Sequence, residues 1–81
     1  MNLKELEKVK MDWNSSMISS TIYESATETM EVTFTKGLAY RYSQISMKEY
    51  TEFCLAESQG KYFNSNFKNK KPFTKDDNEK N

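Results

Sequence analysis

Hydrophobic and polar positions alternate most cleanly between Thr29 and Thr35, where Met30, Val32 and Phe34 fall on one face of a predicted strand. Leu38-Ala39-Tyr40-Arg41-Tyr42-Ser43 repeats the alternation, with Leu38, Tyr40 and Tyr42 on one face. Lys36-Gly37 between the two runs is turn chemistry, so they form a hairpin. Upstream, Met17, Ile18, Thr21, Ile22 and Tyr23 lie among serines over residues 16–24, which suits an earlier strand after an irregular lead-in.

Turn length decides which way the tyrosines face. A two-residue loop at Lys36-Gly37 would pair Thr35 with Leu38 and turn Tyr40 and Tyr42 away from Val32 and Phe34. A three-residue loop, Thr35-Lys36-Gly37 with a left-handed glycine at its end, pairs Phe34 with Leu38, Val32 with Tyr40 and Met30 with Tyr42. The second option gathers every large apolar group and is preferred; it also sets Glu31 opposite Arg41 on the other face.

Ser46-Met47-Lys48-Glu49 is a capping box, so a helix begins there and runs to about Ser58. Met47, Tyr50, Cys54 and Glu57 form its stripe, flanked by Phe53 and Leu55, and Gly60 is the expected stop. Phe63 and Phe67, four apart, predict a second short helix with an aromatic face. Residues 1–12 read as a weakly ordered lead with at most a helical turn, and residues 74–81 as a disordered polar tail. The expectation for residues 13–73 is an α+β domain: a three-stranded antiparallel β-meander with two C-terminal helices packed on one face. Its core should gather Val32, Phe34, Tyr40, Tyr42, Phe53, Cys54 and Phe63.

Composition narrows the chemistry. The chain has 81 residues and a mean hydropathy of -0.92, with 12 Lys+Arg against 12 Asp+Glu, no His and one Cys. Five Phe, five Tyr and one Trp supply enough bulk for one thin core, with no room for an enclosed cofactor. Without His, and with Cys54 alone, the usual zinc ligand sets and the imidazole-dependent triads cannot be assembled. Cys54 is read as a helix residue packed into the core. No cofactor, metal or membrane partner is expected, catalysis is not expected, and a reducing cytoplasm is the expected location.

The chain resembles the KTSC domain, a family occurring at the C-terminus of some lysyl-tRNA synthetases and as small proteins of bacteria and their viruses. The resemblance spans about residues 15–73. It is carried by Ser15-Ser16-Met17-Ile18 with Tyr23-Glu24, by Val32-x-Phe34 with Gly37 and Tyr40-Arg41-Tyr42, and by Ala56-x-Ser58-x-Gly60-Lys61-Tyr62-Phe63-Asn64. The last block is the most specific. Two departures stand out: Ile22 replaces a usual Gly, and Ile45-Ser46 replaces a usual Val-Pro, exchanging a proline lead-in for a capping box. The resemblance implies RNA binding, through the family's association with tRNA synthetases.

The residues themselves leave two readings open. Residues 61–81 hold six Lys and three acids, a net of +3, whereas residues 1–60 hold six basic and nine acidic groups, a net of -3. Lys61, Lys68, Lys70 and Lys71 are interleaved with Tyr62, Phe63 and Phe67, and Arg41 can add a guanidinium. Phosphate neutralisation beside stacking aromatics is how small modules hold RNA, single-stranded nucleic acid or a nucleotide, although a solvated Lys-rich turn gives the same letters. Ser58, Gly60, Lys61 and Asn64 surround a helix junction where one anion can be met by backbone donors, a hydroxyl, an amide and an ammonium. The alternative takes Glu24, Glu28, Glu31, Glu49 and Glu52 as a carboxylate row facing a basic host protein, so that a small viral or regulatory protein inhibits a nucleic-acid-binding protein.

Overall fold

The computed structural model describes residues 8–75 and sets five antiparallel strands side by side in chain order. They are β1 (Lys8–Asp12), β2 (Ile18–Glu24), β3 (Thr29–Phe34), β4 (Ala39–Tyr42) and β5 (Phe73–Lys75), with α1 (Met47–Leu55) and α2 (Gln59–Asn66) between β4 and β5. The α+β class and the two helices are as expected, but the sheet has five strands rather than three. The central hairpin has the expected register. Met30 faces Tyr42, Val32 faces Tyr40 and Glu31 faces Arg41. The Phe34 N–H donates to the Leu38 carbonyl at 2.8 Å, and Gly37 closes the three-residue loop at φ +99°, a conformation that side chains with a Cβ adopt only under strain.

The two additional strands are edges. Lys8–Asp12, expected to be a weakly ordered lead, pairs along β2 from Lys8 opposite Glu24 to Asp12 opposite Ser20. All five of its residues are exposed, so its sequence carries little burial pattern to read. Backbone pairing places it, helped by Trp13, whose indole N–H donates to the Thr21 hydroxyl at 3.0 Å and whose ring meets Phe53 edge-on at 5.4 Å. Thr74 and Lys75, expected in a polar tail, join β5, which is held by the Ser43 N–H donating to the Pro72 carbonyl and by Phe73 stacking on Tyr42 at 5.3 Å. The rest of the lead and tail, residues 1–7 and 76–81, lie outside the described residues.

A bulge at Ser19 shifts the phase of β2: Ile18 faces Phe34 and Ser20 faces Thr33. Ile18, Thr21 and Tyr23 therefore all point inward despite the three-residue step between the first two. They join Met30, Val32 and Tyr42 from the sheet, and Ile45, Tyr50, Phe53, Phe63 and Phe67 from the helical layer, in one buried core. Phe34, Tyr40 and Cys54, expected inside, pack against this cluster at its rim.

The capping box forms as expected: Ser46 Oγ accepts from the Glu49 N–H, and the Glu49 carboxylate accepts from the Ser46 N–H. The expected stripe of α1 does not. Tyr50 and Phe53 turn inward, whereas Met47 and Leu55 are 51% and 80% exposed and Glu57 lies beyond the helix end. The inward angle is set by Tyr23, whose hydroxyl donates to the Ile45 carbonyl at 2.7 Å and whose ring stacks on Tyr50 at 4.2 Å. Gly60 does not stop α1 either; Ala56 caps it, and Gly60 sits buried in the first turn of α2.

Candidate functional site

The site is built where α2 begins. Ser58 is its N-cap, and its hydroxyl accepts from the Lys61 N–H at 3.2 Å. The Gln59 side-chain amide donates to the Phe53 and Ala56 carbonyls at 3.3 and 3.1 Å, which ties the end of α1 to the start of α2. The Gln59 and Gly60 N–H groups occupy the helix positions that have no intrahelical acceptor. Gly60 lets the lead-in to β2 come close: a Cβ there would lie 3.3 Å from Met17 Cβ and Sδ. That lead-in is shaped by Ser15, whose hydroxyl accepts from the Met17 and Ile18 N–H groups, each at 3.1 Å.

Residues 14–17 and 57–61, with Asn64, thereby enclose a polar cleft of about 380 Å³. Asn64 reaches across it, its amide donating to Met17 Sδ at 3.7 Å. Lys61 and Glu57 bring one charge of each sign to its walls. Met17 also lines a second cleft, of about 330 Å³, walled by Phe34, Tyr40, Tyr42, Phe63 and Phe73, with Lys68 and Asn69 at its edge. A third hollow, along the β3–β4 turn, shares Met17 and includes Lys36 and Leu38. One methionine is thus common to a polar and an aromatic cleft.

The sequence-derived candidates divide between this region and others. Ser58, Lys61 and Asn64 converge on the polar cleft as expected. Lys68 lies at the aromatic cleft, and Lys70 is exposed in the turn after α2. Lys71 is committed elsewhere: its Nζ donates to the Gln44 carbonyl at 2.8 Å and to both Glu49 oxygens at 2.9 and 3.1 Å. Tyr62 is half-buried against Phe53 and Phe67, and its hydroxyl donates to Glu52 at 3.1 Å. Burial and then the Glu52 carboxylate push its pKa above the usual tyrosine value. Arg41 stands on the sheet face opposite Tyr40 and Tyr42, away from the helices, so it cannot join the lysines.

The acidic candidates are likewise dispersed. Glu24 and Glu31 stand on that same outer sheet face, Glu28 occupies the β2–β3 turn at φ +57°, and Glu49 and Glu52 are on α1. Glu49 is occupied by the cap and by Lys71, and those hydrogen bonds hold its carboxyl below the usual range. No single acidic row is formed by the five. Sequence reasoning placed no site role on Asn14, Ser15, Ser16 or Asn69; the first block of the KTSC resemblance, Ser15-Ser16-Met17, was the available signal for the serines.

The family model of the KTSC domain matches residues 14–71. Among solved structures, the crystal structure of a KTSC domain protein from Yersinia pestis is similar at a TM-score of 0.78 and 26% identity, covering 85% of this chain and 97% of that one. No curated protein matches. Among the described residues, no helix is long and apolar enough to cross a membrane.

Proposed function

The chain belongs to the KTSC domain family, and from that premise we propose that it is a non-catalytic binding module whose polar cleft takes a phosphodiester of single-stranded nucleic acid, RNA first. One observation carries the reading. Two of the three sequence blocks that bear the family resemblance, the one at Ser15-Ser16-Met17 and the one from Ser58 to Asn64, lie some forty residues apart in sequence and contribute to the same cleft. Their chemistry suits a phosphate: two helix-initial N–H groups, the positive end of the α2 dipole, the Lys61 ammonium and the Asn64 amide. Glu57 in the same wall offsets Lys61, which favours a singly charged phosphodiester over a doubly charged terminal phosphate.

Fluorescence anisotropy with a short single-stranded RNA tests this. Binding at low salt should weaken as salt rises, and Lys61→Ala should make the slope of log K against log salt shallower by about 0.7. Glu57→Gln should tighten binding, because it removes a carboxylate from the cleft wall. An RNA that does not bind at low salt, or binds with equal affinity to the Lys61→Ala variant, overturns the proposal.

A further inference from the structure

Beside the polar cleft lies an aromatic one, three of whose rings the fold leaves partly uncovered. Tyr40 and Phe34 are only partly buried, and Phe73 is 52% exposed. Phe34 meets Tyr40 at 71° and Phe63 at 70°, and Tyr42 meets Phe63 at 89°, so these rings touch edge to face. Phe73 in turn stacks on Tyr42 at 5.3 Å and tilts against Tyr40 at 5.6 Å, so Tyr42 and Phe63 are closed off and the partly open rings are Phe34, Tyr40 and Phe73. The volume, about 330 Å³, falls at the low end of small-ligand clefts, roughly 300–1,000 Å³. Two polar side chains break the apolar lining: Lys68, a cation, and Asn69, whose exposed amide offers both donors and an acceptor.

We infer that this cleft is a base subsite: it holds one unstacked nucleobase against Tyr40 and Phe73, Asn69 pairs with the edge of that base, and Lys68 meets the adjoining phosphate. The inference rests on the nucleic-acid reading and deepens it. An aliphatic side chain of a protein partner would fill an apolar hollow equally well, but it would leave the Asn69 amide and the Lys68 ammonium without a purpose. A nucleotide uses both, because the ring supplies a polar edge and the backbone supplies the anion. Continuity adds to this: Met17 borders both clefts, so a base in one and a phosphodiester in the other belong to one short stretch of strand.

The experiment compares a ribo-octamer with an octamer of abasic ribose units carrying the same phosphates, using the full chain. The wild-type protein should bind the base-bearing oligomer about tenfold or more tightly than the abasic one. Asn69→Ala and Tyr40→Leu should each reduce that preference without altering the salt slope, whereas Lys61→Ala should weaken both oligomers alike. Asn69 is exposed, so its variant stays informative if Tyr40→Leu disturbs folding, which amide NMR spectra report. Equal binding of the two oligomers, or a preference unchanged by both variants, overturns the base subsite while leaving the phosphate site standing. If neither oligomer binds, the nucleic-acid reading falls. Adenosine at millimolar concentration then decides the subsite, with shifts in the Tyr40, Asn69 and Phe73 resonances supporting it and unshifted resonances overturning it.

Discussion

Two stacked tyrosines carry opposite hydrogen-bonding states. The Tyr23 hydroxyl donates to the Ile45 carbonyl at 2.7 Å, whereas the Tyr50 hydroxyl is buried without a nitrogen or oxygen partner among the described residues, beside only the weakly bonding Cys54 thiol. Burial raises the pKa of both above the ordinary tyrosine value. Removing a paired hydroxyl strands its acceptor, while removing a poorly paired one relieves a desolvation penalty. Tyr23→Phe should therefore destabilise by about 1 kcal/mol, and Tyr50→Phe should leave stability unchanged or raise it by about 1 kcal/mol, as read by chemical denaturation. A second residue-scale test concerns Glu49. Its folded-state pKa is depressed, chiefly by the Lys71 hydrogen bond, so the stability it contributes is present above the ordinary value of 4.5 and is lost as pH falls from there through the lowered folded value. The carboxylate is 36% exposed, so the effect is modest and screened by salt. The melting temperature of the wild type should drop across that acid window, and Lys71→Ala should flatten the drop.

At the scale of elements, what was legible in the sequence is what repeats or caps. The β3–β4 hairpin and its register followed from two alternating runs and one glycine, and the start of α1 from Ser46 and Glu49. Gly37 provides the test: it sits at φ +99° with nothing within 4 Å of where a Cβ would lie, so Gly37→Ala meets backbone strain without a clash and should cost roughly 1–2 kcal/mol in chemical denaturation. The edges were illegible because edge strands need no inward apolar row; β1 is exposed throughout, and β5 is three residues long. The inward face of α1 was misread because a nine-residue helix offers too few turns to choose among adjacent stripes, and the choice fell to Tyr23 and Ile45, outside the helix. The site was half legible for the same reason. Ser58, Lys61 and Asn64 are neighbours in sequence, but the partners they meet at residues 14–17 are brought by the sheet. Lys71 and Glu49, twenty-two residues apart, neutralise one another in a contact that no local spacing announces.

Across the whole molecule, aromatic surface is distributed by face. The outer surface of the sheet carries a cross-strand row of Lys10, Ile22, Glu31, Arg41 and Thr74, mixing both signs and lacking aromatic rings. The clefts lie on the helix side, where Lys36, Lys61 and Lys68 stand around them together with Glu57. Nucleic acid should therefore perturb NMR resonances on the helix side and leave those of Arg41 and Glu31 unmoved. The strand order β1-β2-β3-β4-β5 has a further consequence, in the kinetics of folding. The first three strands each pair with the strand next along the chain across a short loop, so β1 to β4 can zip in succession. Only β5 must wait, because its partner β4 ends at Tyr42 and both helices intervene before Phe73. It should be the last strand to dock and the first to leave, and native-state hydrogen exchange should show the Ser43 amide, bonded to the Pro72 carbonyl at 3.0 Å, opening well before the amides of β3.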